Sequence, residues 1–172
     1  MEHEREIASR AVKGDREAFG RLYELVYKDL YRFALYMLKN CQDAQDMVSE
    51  AVTDAYAGIQ ALRNPEVFRA WIFKILANKC RRKLKEYAGR TEELPGDLPV
   101  FPRDTSEDMD VRNAFLRLTE EERLILSLSL FGGYSSREIA ETLNLNDNTV
   151  RSKQSRALKK MQNELEGRKG GI

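Results

Sequence analysis

Between Gly89 and Asp110 the helical periodicity that governs the rest of the chain stops. That stretch holds Gly89, Gly96 and three of the four prolines, Pro95, Pro99 and Pro102. A proline inside a helix removes a backbone donor and clashes with the preceding turn, so no continuous helix crosses it. The chain is therefore expected to be all-α and built as two small helical domains on a flexible acidic linker. The boundaries read as an N-terminal helix bundle over 1–88, a linker over 89–110, a helix-turn-helix domain over 111–167 and a disordered tail over 168–172.

On either side of the break the apolar residues recur every three or four positions, and no alternating strand pattern competes. Gly14-Asp15 reads as a helix stop followed by a new N-cap. The helix it starts, about Arg16 to Leu38, carries Phe19, Leu22, Tyr23, Val26, Leu30, Phe33, Ala34 and Met37 on one face. "KNCQD" makes the next turn, with Asp43 available as a cap. A second helix over about Ala44–Ala61 has Met47, Val48, Ala51, Val52, Ala55, Tyr56 and Ile59 as its buried stripe. Asp46, Glu50 and Asp54 follow at i, i+4 and i+8 as an exposed acidic ridge. Pro65 suits the start of a third helix reaching toward Tyr87.

The second half is punctuated by capping boxes, Thr119 with Glu122 and Ser135 with Glu138. The stretch "SSREIAETLNLNDNTVRSKQSRALKK" then places two short helices around a tight turn. Asn144 stands where the turn needs a left-handed residue, and Asn146 can cap the second helix. At 100° per residue, Val150, Ala157, Leu158, Met161 and Leu165 share one face, and Thr149, Ser152, Lys153, Arg156 and Lys160 the opposite one. Arg151 lies at the border, and Gln154 interrupts the apolar side. Arginine and lysine donating to guanine, short polar residues allowing close approach, and a helix N-terminus facing phosphate suit major-groove reading of DNA. A plain amphipathic helix with a solvated basic face is the competing account.

The third N-terminal helix changes character along its length. Phe68, Trp71, Ile72, Ile75 and Leu76 face inward, while Lys74, Asn78, Arg81 and Lys85 share an outer face with Arg82 beside it. A basic face carrying an amide suits single-stranded or partly melted DNA. Net charge is only +1, but six Lys/Arg against one Glu in 78–90 give way to seven Asp/Glu against one Arg in 91–110. From Leu145 onward seven Lys/Arg stand against three acids. This basic–acidic–basic order fits two nucleic-acid-facing surfaces, and salt-bridged solvated faces fit it as well.

Other classes find less support. The sole histidine is His3, no glycine-rich phosphate loop is present, and Cys41 and Cys80 lack metal-ligand spacing, so neither enzyme chemistry nor a cofactor is expected. No apolar run is long enough to insert in a membrane, and the charged start resembles no signal peptide, so a reduced cytoplasmic protein is expected.

Taken together, "DAQDMVSEAVTDAY", "FRAWIFKILANKCRRKL" and "LTEEERLILSLSLFGGYSSREIAETLNLNDNTVRSKQSRALKKM" resemble the extracytoplasmic-function group of bacterial RNA polymerase sigma factors, within the sigma-70 superfamily. The resemblance spans about residues 12–165 and implies sigma region 2 and region 4 domains. It implies core RNA polymerase, promoter DNA and an inhibitory anti-sigma factor as partners. Asp43, Asp46, Met47 and Glu50 would then meet the clamp helices of the beta-prime subunit, and Leu124 to Phe131 the flap of the beta subunit. Leu62, Arg63, Asn64, Asn78, Arg81 and Arg82 would serve the minus-ten element. Asn148, Thr149, Arg151, Ser152, Lys153 and Arg156 would serve the minus-thirty-five element. Gln154 in place of an aliphatic residue, and Asn144 and Asn148 in place of glycines, depart from the family pattern. A stand-alone helix-turn-helix regulator with a sensing or dimerising bundle is the rival class, and the basic, Asn78-bearing helix argues against it.

Overall fold

A left-handed turn at Gly14 (φ +94°) ends α1 (Glu2–Val12), and the Asp15 side chain accepts from the Ala18 N–H to begin α2 (Arg16–Leu38). In this computed structural model residues 2–89 and 105–169 are described, and no strand occurs among them. The chain divides into two units at Pro95–Gly96.

In the first unit α2 packs against α1, α3 (Cys41–Gly58) and α4 (Phe68–Ala88), with short 3₁₀ turns over Ile59–Ala61 and Pro65–Val67 between α3 and α4. The expected stripe of α2 is buried, apart from half-buried Tyr23. On the elements it packs against, Ala44, Val48, Ala51 and Ala55 of α3 and Phe68, Ile72, Phe73 and Leu76 of α4 are buried as well. Phe33 and Phe73 pack edge to face with centroids 5.7 Å apart, and each such buried ring stabilises by about 1.5–3 kcal/mol. Cys80 lies in this core, where burial pushes its thiol up to about 12 and leaves it unreactive at neutral pH.

Three details differ from the sequence reading. Asn40, not Asp43, caps α3, accepting from the Asp43 N–H at 2.9 Å. Tyr56, expected in the buried stripe of α3, is 45% exposed and meets Phe19 edge to face, while Ile59 beyond it is buried. Helix α5 (Ser106–Leu116) begins inside the stretch assigned to the linker, because Thr105 and Asp108 form a further capping box. The rest of that stretch, 90–104, lies outside the described residues.

In the second unit α5 and α6 (Glu120–Leu130) both pack on α8 (Asp147–Lys169), and α7 (Ser136–Leu143) packs on α8 and α6. Both expected capping boxes are present, at Thr119–Glu122 and Ser135–Glu138. Arg123 is buried and donates to the Leu116 carbonyl, which the end of α5 leaves without an intrahelical donor, and to the Leu118 carbonyl in the turn beyond it. Helix α8 continues to Lys169, two residues into the expected tail, and 170–172 lie outside the described residues.

Candidate nucleic-acid interface

The turn between α7 and α8 is set by backbone chemistry. Asn144 adopts the left-handed conformation (φ 55°, ψ 47°), and the Leu145 N–H closes onto the Ala140 carbonyl at 2.8 Å. Asn146 Oδ1 then accepts from the Asn148 N–H at 2.8 Å, relieving an unpaired donor at the start of α8. Val150 and Ala157 are fully buried and fix the helix by its inner face.

What α8 exposes differs in part from the helical wheel. Asn148, Arg151, Ser152 and Arg156 are exposed, and Thr149 is half-buried. Ser155 and Lys159 are exposed with them, although neither was singled out from the sequence. Arg156 Nε donates to the Ser152 carbonyl at 3.3 Å, which lays the side chain back along its own helix. Lys153 is only partly exposed and bonds Glu121 at 2.5 Å, while Lys160 bonds Glu122 at 2.5 Å. Both lysines thus tie α8 to the first turn of α6, where acidic side chains also complement the helix dipole. Leu158, assigned to the packed face, is instead 51% exposed.

The second basic surface lies on α4. Lys74, Asn78, Arg81, Arg82 and Lys85 are all exposed. Beside this surface α4 closes on α3: Lys79 lies 2.7 Å from Asp54 and 3.3 Å from Glu50, and Arg82, at the border, lies 3.6 Å from Glu50. The hydrogen bond that the Lys79 ammonium donates to Asp54 outweighs partial burial and holds it above the ordinary lysine range. Asp43 pairs with Lys83 at 3.3 Å and accepts from the Tyr87 hydroxyl. The acidic ridge is therefore partly neutralised from within. Asp46 is exposed and accepts only a neutral bond, from Gln42 Nε2 at 3.1 Å. Met47 is buried in the core.

Between α3 and α4, Leu62 is half-buried while Arg63 and Asn64 are exposed. Asn64 Oδ1 accepts from the Glu66 N–H at 3.0 Å and so caps the turn at Pro65. Glu66 in turn pairs with Arg5 of α1 at 2.9 Å, bracing this loop from the N-terminal helix. In the second unit Leu124 is buried and Phe131, which ends α6, is half-buried. Among the described residues no cluster of His, Cys, Asp and Glu is placed to hold a metal ion, and no helix is long and apolar enough to cross a membrane.

Each of the two units has a counterpart among known proteins. Residues 22–90 match the family described as Sigma-70 region 2, and residues 108–161 match Sigma-70, region 4. The chain is 33% identical over 141 residues to the RNA polymerase sigma factor SigV of Bacillus subtilis, covering 80% of this chain and 85% of that protein. The chain belongs to the sigma-70 family, in its ECF group. It is likewise 30% identical over 161 residues to the ECF RNA polymerase sigma factor SigM of Mycobacterium tuberculosis, covering 90% of this chain and 82% of that one. Two solved structures share the fold. One is the sigma factor RpoE of Bartonella quintana, solved with the anti-sigma factor NepR (TM-score 0.71, 22% identity, 86% and 96% coverage of this chain and that). The other is CnrH in complex with the cytosolic domain of CnrY (TM-score 0.67, 24% identity, 95% and 97% coverage). This sigma factor acts in promoter recognition and transcription initiation.

The ion pairs on α3 separate two acids that looked equivalent in sequence. Asp46→Lys is expected to change stability by less than about 0.5 kcal/mol, as at most exposed sites. Glu50→Lys sets a third cation against Lys79 and Arg82 and should cost about 1 kcal/mol. Urea denaturation of the two variants checks the ranking, and equal midpoints would contradict it.

Proposed function

We propose that this sigma factor directs core RNA polymerase to a promoter by reading duplex DNA with α8 and melted DNA with α4 and the loop before it. In this reading Asn148, Thr149, Arg151, Ser152 and Arg156 face the minus-thirty-five element. Lys153 serves it indirectly by anchoring α8 to Glu121. Asn78, Arg81 and Arg82, with Leu62, Arg63 and Asn64, take the minus-ten element. Asp46 and Glu50 meet the beta-prime clamp helices, with Asp43 and Met47 holding α3 in place beneath them, and Leu124 and Phe131 serve the beta flap. The observation that carries the reading is the placement of exposed arginines on the open face of α8, past a left-handed turn, with the inner face locked by Val150 and Ala157.

The factor is non-catalytic and works in the cytoplasm, where core polymerase supplies all the chemistry. The two structural neighbours were solved with an anti-sigma factor and with the cytosolic domain of CnrY, which supports an inhibitory protein partner here as well. Transcription in vitro from a genomic fragment library tests the whole reading. Purified core polymerase is expected to yield discrete promoter-specific transcripts only when this chain is added. Tight, sequence-specific duplex binding without polymerase, and no transcripts with it, would contradict it.

A further inference from the structure

At the first turn of α8 one of the exposed arginines is held from two sides. Arg151 pairs through one terminal guanidinium nitrogen with Asp147 Oδ2 at 3.0 Å, and its Nε donates to Ser136 Oγ at 3.3 Å. Ser136 and Asp147 thus hold two nitrogens of the same guanidinium, Nε and one terminal nitrogen. Ser136 opens α7 and Asp147 opens α8, so Arg151 bridges the two helices of the motif at the edge that would face DNA. Arg137 of α7 adds a second positive charge near Asp147. Three other cations of α8 are held differently: Lys153 and Lys160 are drawn to α6, and Arg156 bonds the backbone of its own helix.

A guanidinium has five N–H donors in a rigid plane, and Asp147 and Ser136 engage one edge of it. The remaining terminal donors stay available for the paired acceptors of a guanine edge. An unrestrained arginine has many rotamers and would have to be ordered on binding, and a preset one would not.

We propose that Ser136 and Asp147 are positioning residues for promoter reading, holding the Arg151 guanidinium in one orientation so that it meets a single base position. The proposal rests on the assignment of Arg151 to the upstream element. It has a signature that a merely structural role lacks. Asp147 carries a negative charge next to the phosphate backbone, so its neutralisation should not weaken general duplex affinity, and should raise it. Base discrimination should fall at the same time.

The test uses the full chain with core polymerase and a duplex pool randomised across the upstream element, with bound and unbound fractions sequenced. Wild type is compared with Asp147→Asn, Ser136→Ala, Arg151→Ala and the double variant Asp147→Asn/Arg151→Ala. Asp147→Asn and Ser136→Ala are each expected to lower discrimination roughly tenfold, only at the base position where Arg151→Ala abolishes it. Affinity for unselected duplex should be equal to wild type or higher. In the Arg151→Ala background Asp147→Asn should change nothing further. Full retention of the preference in both single variants overturns the proposal while leaving Arg151 as a reader. Uniform loss at every position together with lower affinity also overturns it, since that marks a structural role. Unchanged preferences in Arg151→Ala remove the proposal and the assignment of Arg151 together.

Discussion

Gly132→Ala is expected to destabilise the second unit by about 2–3 kcal/mol, which for a domain of this size lowers its melting temperature by roughly 10–20 °C. The cause is space, not backbone conformation, because only Gly14 and Gly133 have positive φ among the described glycines. A methyl group on Gly132 would lie 2.7 Å from the Leu128 carbonyl oxygen and 2.9 Å from the Tyr134 ring. That carbonyl already accepts from the Tyr134 N–H at 3.1 Å, a bond that turns the chain from α6 into α7. Tyr134 is itself buried, to the point that its hydroxyl is pushed up to about 12. Relieving the clash means opening this corner, and α7 with its capping box would move with it. Hydrogen exchange should show faster exchange in α6–α8 and unchanged protection in α2–α4. A variant that melts with wild type would show that the corner yields freely.

Much of this architecture was legible in the sequence because it is local. The capping boxes at Thr119 and Ser135, the stop at Gly14 and the left-handed Asn144 each depend on neighbours within a few residues, and each is present in the structure. The Thr105–Asp108 box was equally local, but the surrounding acids and prolines drew it into the linker. What sequence reading missed was set at long range. Asp43 is a competent capping residue, yet Asn40 caps α3 and the Asp43 carboxylate turns to Lys83 and Tyr87, 44 positions along in the case of Tyr87.

Helix α8 makes the same point. Periodicity marks an amphipathic helix, but its polar residues do not all face solvent. Lys153 is drawn inward by Glu121, 32 positions away, and Leu158 is left outside. Charge patterning identified two basic surfaces and could not show which cations were already paired. Lys79 is the clearest case: it belongs to the basic run of α4 yet serves as the clasp between Glu50 and Asp54.

The central claim is that two different surfaces act on two different states of promoter DNA. Arg156 lies on the open face of α8 and should contact the upstream element as duplex, where losing a good base contact costs about 1–3 kcal/mol. Asn78 lies on the exposed face of α4, where an amide can read an unpaired base once the strands part. Footprinting and permanganate reactivity on one promoter with reconstituted polymerase read the two steps separately. Arg156→Ala is expected to lose upstream protection at limiting polymerase. Asn78→Ala should keep that protection and lose permanganate-reactive thymines downstream, with relaxed preference for the downstream sequence. Loss of upstream protection in Asn78→Ala, or full protection in Arg156→Ala, would contradict the account.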